Sequence, residues 1–173
     1  VAFLTTHVKG PDEDDWKKLV CMIQYLRGTL LLPLTLSAER ASIPKWWVDG
    51  SHGVHPNMRG HTGACLSLRK GMLVNVASKQ KLNTRSSTET ELVAADDLMP
   101  IILWTNWFLE AQGYGSTNTI LYQDDQSAIL LERNGRKSSR KRTKHINMWY
   151  YFITDRIKHQ ELQVEYCPTE IMI

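Results

Sequence analysis

Apolar side chains at Trp16, Leu19, Val20, Ile23 and Leu26 recur every three or four residues, which predicts an amphipathic helix. The acids Asp12, Glu13, Asp14 and Asp15 meet the positive end of its dipole. Pro11 suits its first position, and Arg27-Gly28 supplies a basic last turn with a glycine stop. Leu30 to Leu36 is a short apolar run interrupted by Pro33, compatible with an edge strand, and the small, polar stretch from Ser37 to Pro44 marks a boundary. Beyond it the texture changes. Trp46-Trp47-Val48, Thr62 to Leu68 and Met72 to Ala77 are apolar runs bounded by Gly, Pro or Asn, and they predict three strands of an antiparallel meander. The Arg69-Lys70-Gly71 turn is short enough for a hairpin, whereas Gly50 to Gly60 is a longer loop.

Helical spacing returns over Thr88 to Gln112, where Pro100 is expected to break or kink the element into two helices. A strand over Thr119 to Gln123, a short helix over Gln126 to Glu132, an aromatic helix over Ile146 to Ile157 and a last strand over Leu162 to Tyr166 complete the pattern. The order β-β-β-α-β-α-α-β predicts an α/β fold with a mixed sheet that begins antiparallel and continues by parallel crossovers, covered by helices. Trp104, Trp107 and Trp149, at helical spacings, are expected in the core rather than as stacking platforms for bases.

At 173 residues and 19.9 kDa the chain has room for one main core and a small extra piece. Hydrophobic residues at 42% and charged residues at 23% exclude a wholly disordered, collagen-like or coiled-coil chain. No apolar run approaches the roughly 18 residues of a membrane span, and Val1-Ala2-Phe3-Leu4 lacks the features of a signal peptide, so a soluble, unsecreted protein is expected. Cys21, Cys65 and Cys167 are far apart and odd in number, which fits a reducing compartment and neither a disulfide framework nor a cysteine zinc site. His52, His55 and His61 lack further spaced ligands for a tetrahedral zinc.

The net charge of +3 hides an uneven distribution. Between Arg133 and Lys144, seven of twelve residues are Lys or Arg. Such a run is either a solvated or nuclear-import-like loop or a track for phosphates, to which Ser138-Ser139 could add hydroxyl contacts. Three carboxylates stand at element ends: Asp49 after the Trp47-Val48 strand, Glu91 in the first turn of the long helix, and Asp124 after the fourth strand. Acids in such places are commonly caps and dipole partners. Were they to converge, hard cations such as Mg²⁺ would suit them, because those cations take oxygen ligands and keep positions for substrate phosphate.

The local sequence favours convergence. Trp47-Val48-Asp49-Gly50-Ser51, Arg59-Gly60-His61-Thr62-Gly63, Ser78-Lys79-Gln80-Lys81, the Ser87-Thr88-Glu89-Thr90-Glu91-Leu92 stretch, Gln123-Asp124-Asp125-Gln126-Ser127-Ala128, Arg142-Thr143-Lys144-His145-Ile146 and Tyr166-Cys167-Pro168-Thr169-Glu170 occur in one order. In that order the chain resembles the ribonuclease H domain of copia-type retrotransposon polyproteins. The resemblance extends upstream through Lys9-Gly10-Pro11-Asp12 and Tyr25-Leu26-Arg27-Gly28-Thr29. It implies that residues 1–44 are the end of a reverse-transcriptase thumb or connection and that 45–173 form a ribonuclease H-like domain lacking its final helix. It further implies a five-stranded mixed sheet and a fragment of a larger polyprotein.

By motif, the resemblance makes Asp49, Glu91 and Asp124 the metal-binding and catalytic set for two Mg²⁺ ions about 4 Å apart, with Mn²⁺ as a substitute. Glu91 is preferred to Glu89 because it directly precedes Leu92-Val93-Ala94; side chains two apart on a helix diverge by about 200°, so only one of the two can face the sheet end. Asp96, Asp97 and Asp125 are read as solvated or helix-start acids. The family's fourth carboxylate follows the Tyr-Cys-Pro-Thr-Glu motif, and the sequence runs only to Ile173 with Glu170 as the acid there, so weaker binding of the second ion and slow cleavage are expected. The implied substrate is an RNA/DNA hybrid, held through Lys79, Arg85, Arg136, Lys137, Arg140, Lys141, Arg142, Lys144 and His145. The implied partner is the reverse-transcriptase domain of the same polyprotein, without a membrane, in a cytoplasmic retrotransposon particle or in the nucleus. The alternatives are a catalytically inactive module that binds hybrid or packs on the polymerase, and an integrase-like nuclease, which would need a glutamate on a late helix.

Overall fold

The computed structural model describes residues 2–38, 43–114, 119–135 and 147–172, and of residues 147–150 the backbone alone. Backbone contacts divide the chain into two compact units, Val1–Thr35 and Leu36–Ile173. In the first, the turn α1 (Ala2–Thr5) precedes the helix α2 (Glu13–Gly28). Asp12 caps α2: its carboxylate accepts the Asp15 N–H at 2.8 Å, and the Asp15 carboxylate accepts the Asp12 N–H at 3.3 Å. Pro11 thus precedes the cap instead of opening the helix, and Gly28 is the last helical residue, followed by the cap Thr29. The edge strand expected over 30–36 does not form; Leu30, Leu31, Leu32 and Leu34 are exposed, and Pro33 withholds a ladder donor.

In the second unit the chain first extends at β1 (Ser37–Ala38), then runs through β2 (Lys45–Ser51), β3 (His61–Ser67), β4 (Arg69–Lys70) and β5 (Val74–Lys79). β1 pairs with β4 as a minor ribbon. Helix α3 (Ser87–Ala111), strand β6 (Thr119–Gln123), helices α4 (Gln126–Asn134) and α5 (Asn147–Lys158), strand β7 (Leu162–Tyr166) and a 3₁₀ turn (Thr169–Ile171) follow. The main sheet has the order β5-β3-β2-β6-β7, antiparallel across β5, β3 and β2 and parallel across β2, β6 and β7.

Alternation along β2 turns Trp46, Val48 and Gly50 toward α3 and Asp49 and Ser51 outward. Trp46 and Val48 join Leu98, Met99 and Ile102 of α3, Leu121 of β6, Ile153 of α5 and Leu162 of β7 in one core. α3 is long and apolar enough to pass for a membrane span by composition, but half of that stretch is buried. It also runs unbroken through Pro100, against expectation. Pro100 lies exposed while its neighbours Leu98, Met99, Ile102 and Leu103 are buried, so one lost hydrogen bond on the solvent side is outweighed by packing. Trp104 and Trp107, expected in the core, are each 59% exposed, and Trp104 stacks on Phe108. The sheet takes the other stripe of the helix. The side chain of Trp149 lies outside the described residues.

Candidate metal centre

Asp49, Glu91 and Asp124 each offer a carboxylate oxygen, and these oxygens lie within 4.8 Å of one another. Three elements deliver them. Asp49 stands two residues before the end of β2, on its outward face, and Asp124 follows β6, the parallel neighbour of β2. Glu91 comes from the start of α3, which sits directly on β2 because residue 50 is glycine; a Cβ there would lie 2.9 Å from the Thr90 carbonyl oxygen.

Polar contacts fix Glu91 and Asp124. The Gly50 N–H donates to Glu91 Oε1 at 3.0 Å, and the buried Gln123 amide donates to the Glu91 carbonyl at 3.3 Å and its Oε2 at 3.4 Å. The Thr169 hydroxyl, on the 3₁₀ turn after β7, donates to Asp124 Oδ2 at 2.8 Å. Neighbouring acids have other work. Glu89 accepts the Arg85 N–H at 2.7 Å beside the cap Ser86, which accepts the Glu89 N–H. Asp125 caps α4 through the N–H groups of Ser127 and Ala128 and accepts the Thr88 hydroxyl at 2.8 Å. Asp97 accepts the Thr62 hydroxyl at 3.3 Å and is not simply solvated. Asp96 is half-buried, and burial with the adjacent Asp97 pushes its carboxyl up to about 6.

Glu91 is 6% exposed, and burial pushes its carboxyl up to about 8; the Gly50 N–H opposes this, and the charges of Asp49 and Asp124 add to it. Burial and Asp124 also raise Asp49. Three acids thus crowd one end of the sheet, where protons or a cation must relieve their repulsion. Among the described residues this is the one group of three that could hold a metal ion. His55 Nε2 and His61 Nδ1 are instead 3.1 Å apart in a hydrogen bond, and His52 meets the hydroxyls of Thr84 and Thr90.

Of the expected phosphate contacts, Lys79 is half-buried at the end of β5 and Arg85 is exposed ahead of α3. Arg136, Lys137, Arg140, Lys141, Arg142, Lys144 and His145 lie outside the described residues. Arg133, which opens the basic run, is committed elsewhere: its guanidinium donates to the Val164 carbonyl, from Nε at 3.0 Å and also from Nη2. Sequence reasoning passed over Gln80, Gln123 and Thr169. All three stand inside the quoted motifs, but nothing in hydrophobic periodicity separates a buried amide from a solvated one.

This architecture is that of ribonuclease H. LC11-RNase H1, isolated from compost by a metagenomic approach, superposes with a TM-score of 0.55 at 11% identity, over 75% of this chain and 86% of that one. Its complex with an RNA/DNA hybrid gives 0.52, and the foamy viral protease-reverse transcriptase in complex with RNA/DNA hybrid gives 0.51 over 94% of this chain and 24% of that one. In sequence the chain is similar along nearly its whole length to retrovirus-related Pol polyproteins of plant transposons. It is 26% identical to that of transposon TNT 1-94 of Nicotiana tabacum over 95% of its residues, and 28% identical to that of transposon RE2 of Arabidopsis thaliana over 96%. It spans 12% and 11% of those relatives' lengths. No family model matches the chain.

Proposed function

We propose that this chain is the ribonuclease H module of a retrotransposon Pol polyprotein and hydrolyses the RNA strand of RNA/DNA hybrids during reverse transcription, by a two-metal mechanism. The observation that carries this reading is the convergence of Asp49, Glu91 and Asp124 from three separate elements. The donor set fits Mg²⁺ or Mn²⁺: all ligands are hard carboxylate oxygens, and two of the acids are raised by burial and, to a lesser degree, by the charges of their neighbours. When bound, such ions activate water and offset charge on the leaving oxygen. The residues of the chain do the rest. Asp49 and Asp124 would hold a cation at the open sheet end, with Asp124 oriented by the Thr169 hydroxyl, and Glu91, its Oε1 held by the Gly50 N–H, would complete the ligand set. Contacts to ribose 2′-hydroxyls restrict cutting to RNA.

Lys79, Arg85 and the basic residues from Arg136 to His145 serve as the phosphate track. The similarity to hybrid-bound LC11-RNase H1 supports the substrate, and the match to 94% of the chain in the foamy viral protease-reverse transcriptase supports reading residues 1–44 as the end of a reverse-transcriptase region that is its partner. A cytoplasmic particle is the proposed location. A second reading, a module that binds hybrid without cutting it, is favoured by the place of Glu170, exposed and outside the carboxylate cluster. Cleavage of a hybrid labelled on its RNA strand decides. With Mg²⁺ the parent cuts and Asp49→Asn does not; unchanged cutting by the variant removes Asp49 from the site, and binding without cutting by the parent establishes the second reading.

A further inference from the structure

The Ser78-Lys79-Gln80-Lys81 motif contributes Lys79 to the proposed phosphate track, but its wholly buried member is Gln80. The Gln80 side-chain amide donates to the Thr62 hydroxyl at 3.1 Å and to the Thr90 carbonyl at 3.0 Å, and its backbone N–H donates to the Gly60 carbonyl at 2.9 Å. Gly60 makes room for it: a Cβ there would lie 2.5 Å from Gln80 Oε1 and 2.8 Å from Thr90 Cγ2. Thr90 immediately precedes Glu91, and its carbonyl is the group against which Gly50 presses from β2. On the other side of the same turn, Gln123 donates to the next carbonyl, that of Glu91. The opening of α3 is therefore gripped between two buried amides. Stability alone does not favour such a residue, because Gln80 Oε1 is buried without a hydrogen-bond partner among the described residues, and an apolar side chain would avoid that cost.

We propose that Gln80 is a positioning residue of the metal centre. By holding the Thr90 carbonyl against β2 and β3, it keeps Glu91 Oε1 within reach of the Gly50 N–H and close to Asp49 and Asp124. Four of the chain's motifs, around Asp49, Gly60, Gln80 and Glu91, then meet in one device. This inference rests on the reading of the three carboxylates as a cation site.

The test uses Gln80→Met, which keeps the volume and removes the donors, beside Leu162→Val, a control at the start of β7, paired with Thr119 and at the opposite end of the strand pair from Asp124. Mn²⁺ is titrated into each, and amide exchange is followed over residues 90–95. Gln80→Met should bind Mn²⁺ roughly 10-fold more weakly than the parent. It should also exchange faster at the start of α3, while the control, though lower in Tm, binds as the parent does. Equal Mn²⁺ affinity in the parent and Gln80→Met overturns the proposal. If the parent itself binds no Mn²⁺, the cation-site reading falls, and exchange decides the role of Gln80: faster exchange confined to residues 90–95 upholds it as the clamp of that turn, and unchanged exchange overturns it.

Discussion

At Glu91 two demands conflict. Burial against β2 holds the carboxyl where Asp49 and Asp124 can share a cation with it, and the same burial makes its charge expensive. A carboxyl raised from 4.5 to about 8 in the folded state favours folding fully below its unfolded value, and that contribution is lost as pH climbs through about 8. Asp49 and the fully buried Glu132 of α4, raised well above its ordinary value by burial and by the Glu91 charge, act with the same sign. The metal-free protein should therefore lose on the order of a few kcal/mol between pH 5 and pH 8.5. Melting curves in chelator should show Tm falling across that range and a flatter profile for Glu91→Gln; parallel profiles would contradict the assignment. That only one of Glu89 and Glu91 can face the sheet end was available in the sequence, because about 200° of helix separates them, and the motif Glu91-Leu92-Val93-Ala94 was the ground for choosing Glu91. Gln80 and Gln123 were not, since their burial depends on which strand each one meets.

Elements near the site are placed by backbone approach more than by side-chain bulk. α3 rests on β2 at Gly50, so Gly50→Ala must push the helix start away or strain it, with an expected loss of roughly 1–3 kcal/mol in urea unfolding and weaker Mn²⁺ binding. Unchanged stability would mean that the helix start can shift freely. The strands were legible because alternating and apolar runs end at Gly, Pro or Asn, and the mixed order of the sheet followed from short turns early and helical crossovers late. Two misreadings share one cause. The run over 30–36 has strand composition without a ladder to join, and Pro100 has a helix-breaking composition within a turn that the core holds in place. Tertiary context overrode local propensity in both, by the lack of a pairing strand in the first and by core packing in the second. Trp104 and Trp107 were misplaced because α3 is apolar on more than the face that meets the sheet.

For the whole molecule, affinity for nucleic acid and cation binding are assigned to different segments. Replacing Arg136, Lys137, Arg140, Lys141 and Arg142 with Ala should weaken hybrid binding irrespective of base sequence and lower the salt slope by about one counterion per lost contact. Mn²⁺ binding should be nearly unchanged, because the carboxylates belong to β2, α3 and the end of β6. An unaltered salt slope in the folded variant would make the tract a solvated loop.

The most direct measurement is a Mn²⁺ titration of the parent and of Asp49→Asn/Asp124→Asn at pH 8.5, with both proteins matched for folding by Tm. The account predicts saturable Mn²⁺ binding to the parent that Mg²⁺ displaces, and its loss in the double variant. Equal Mn²⁺ affinity in the two proteins, or no saturable binding to the parent, would contradict it.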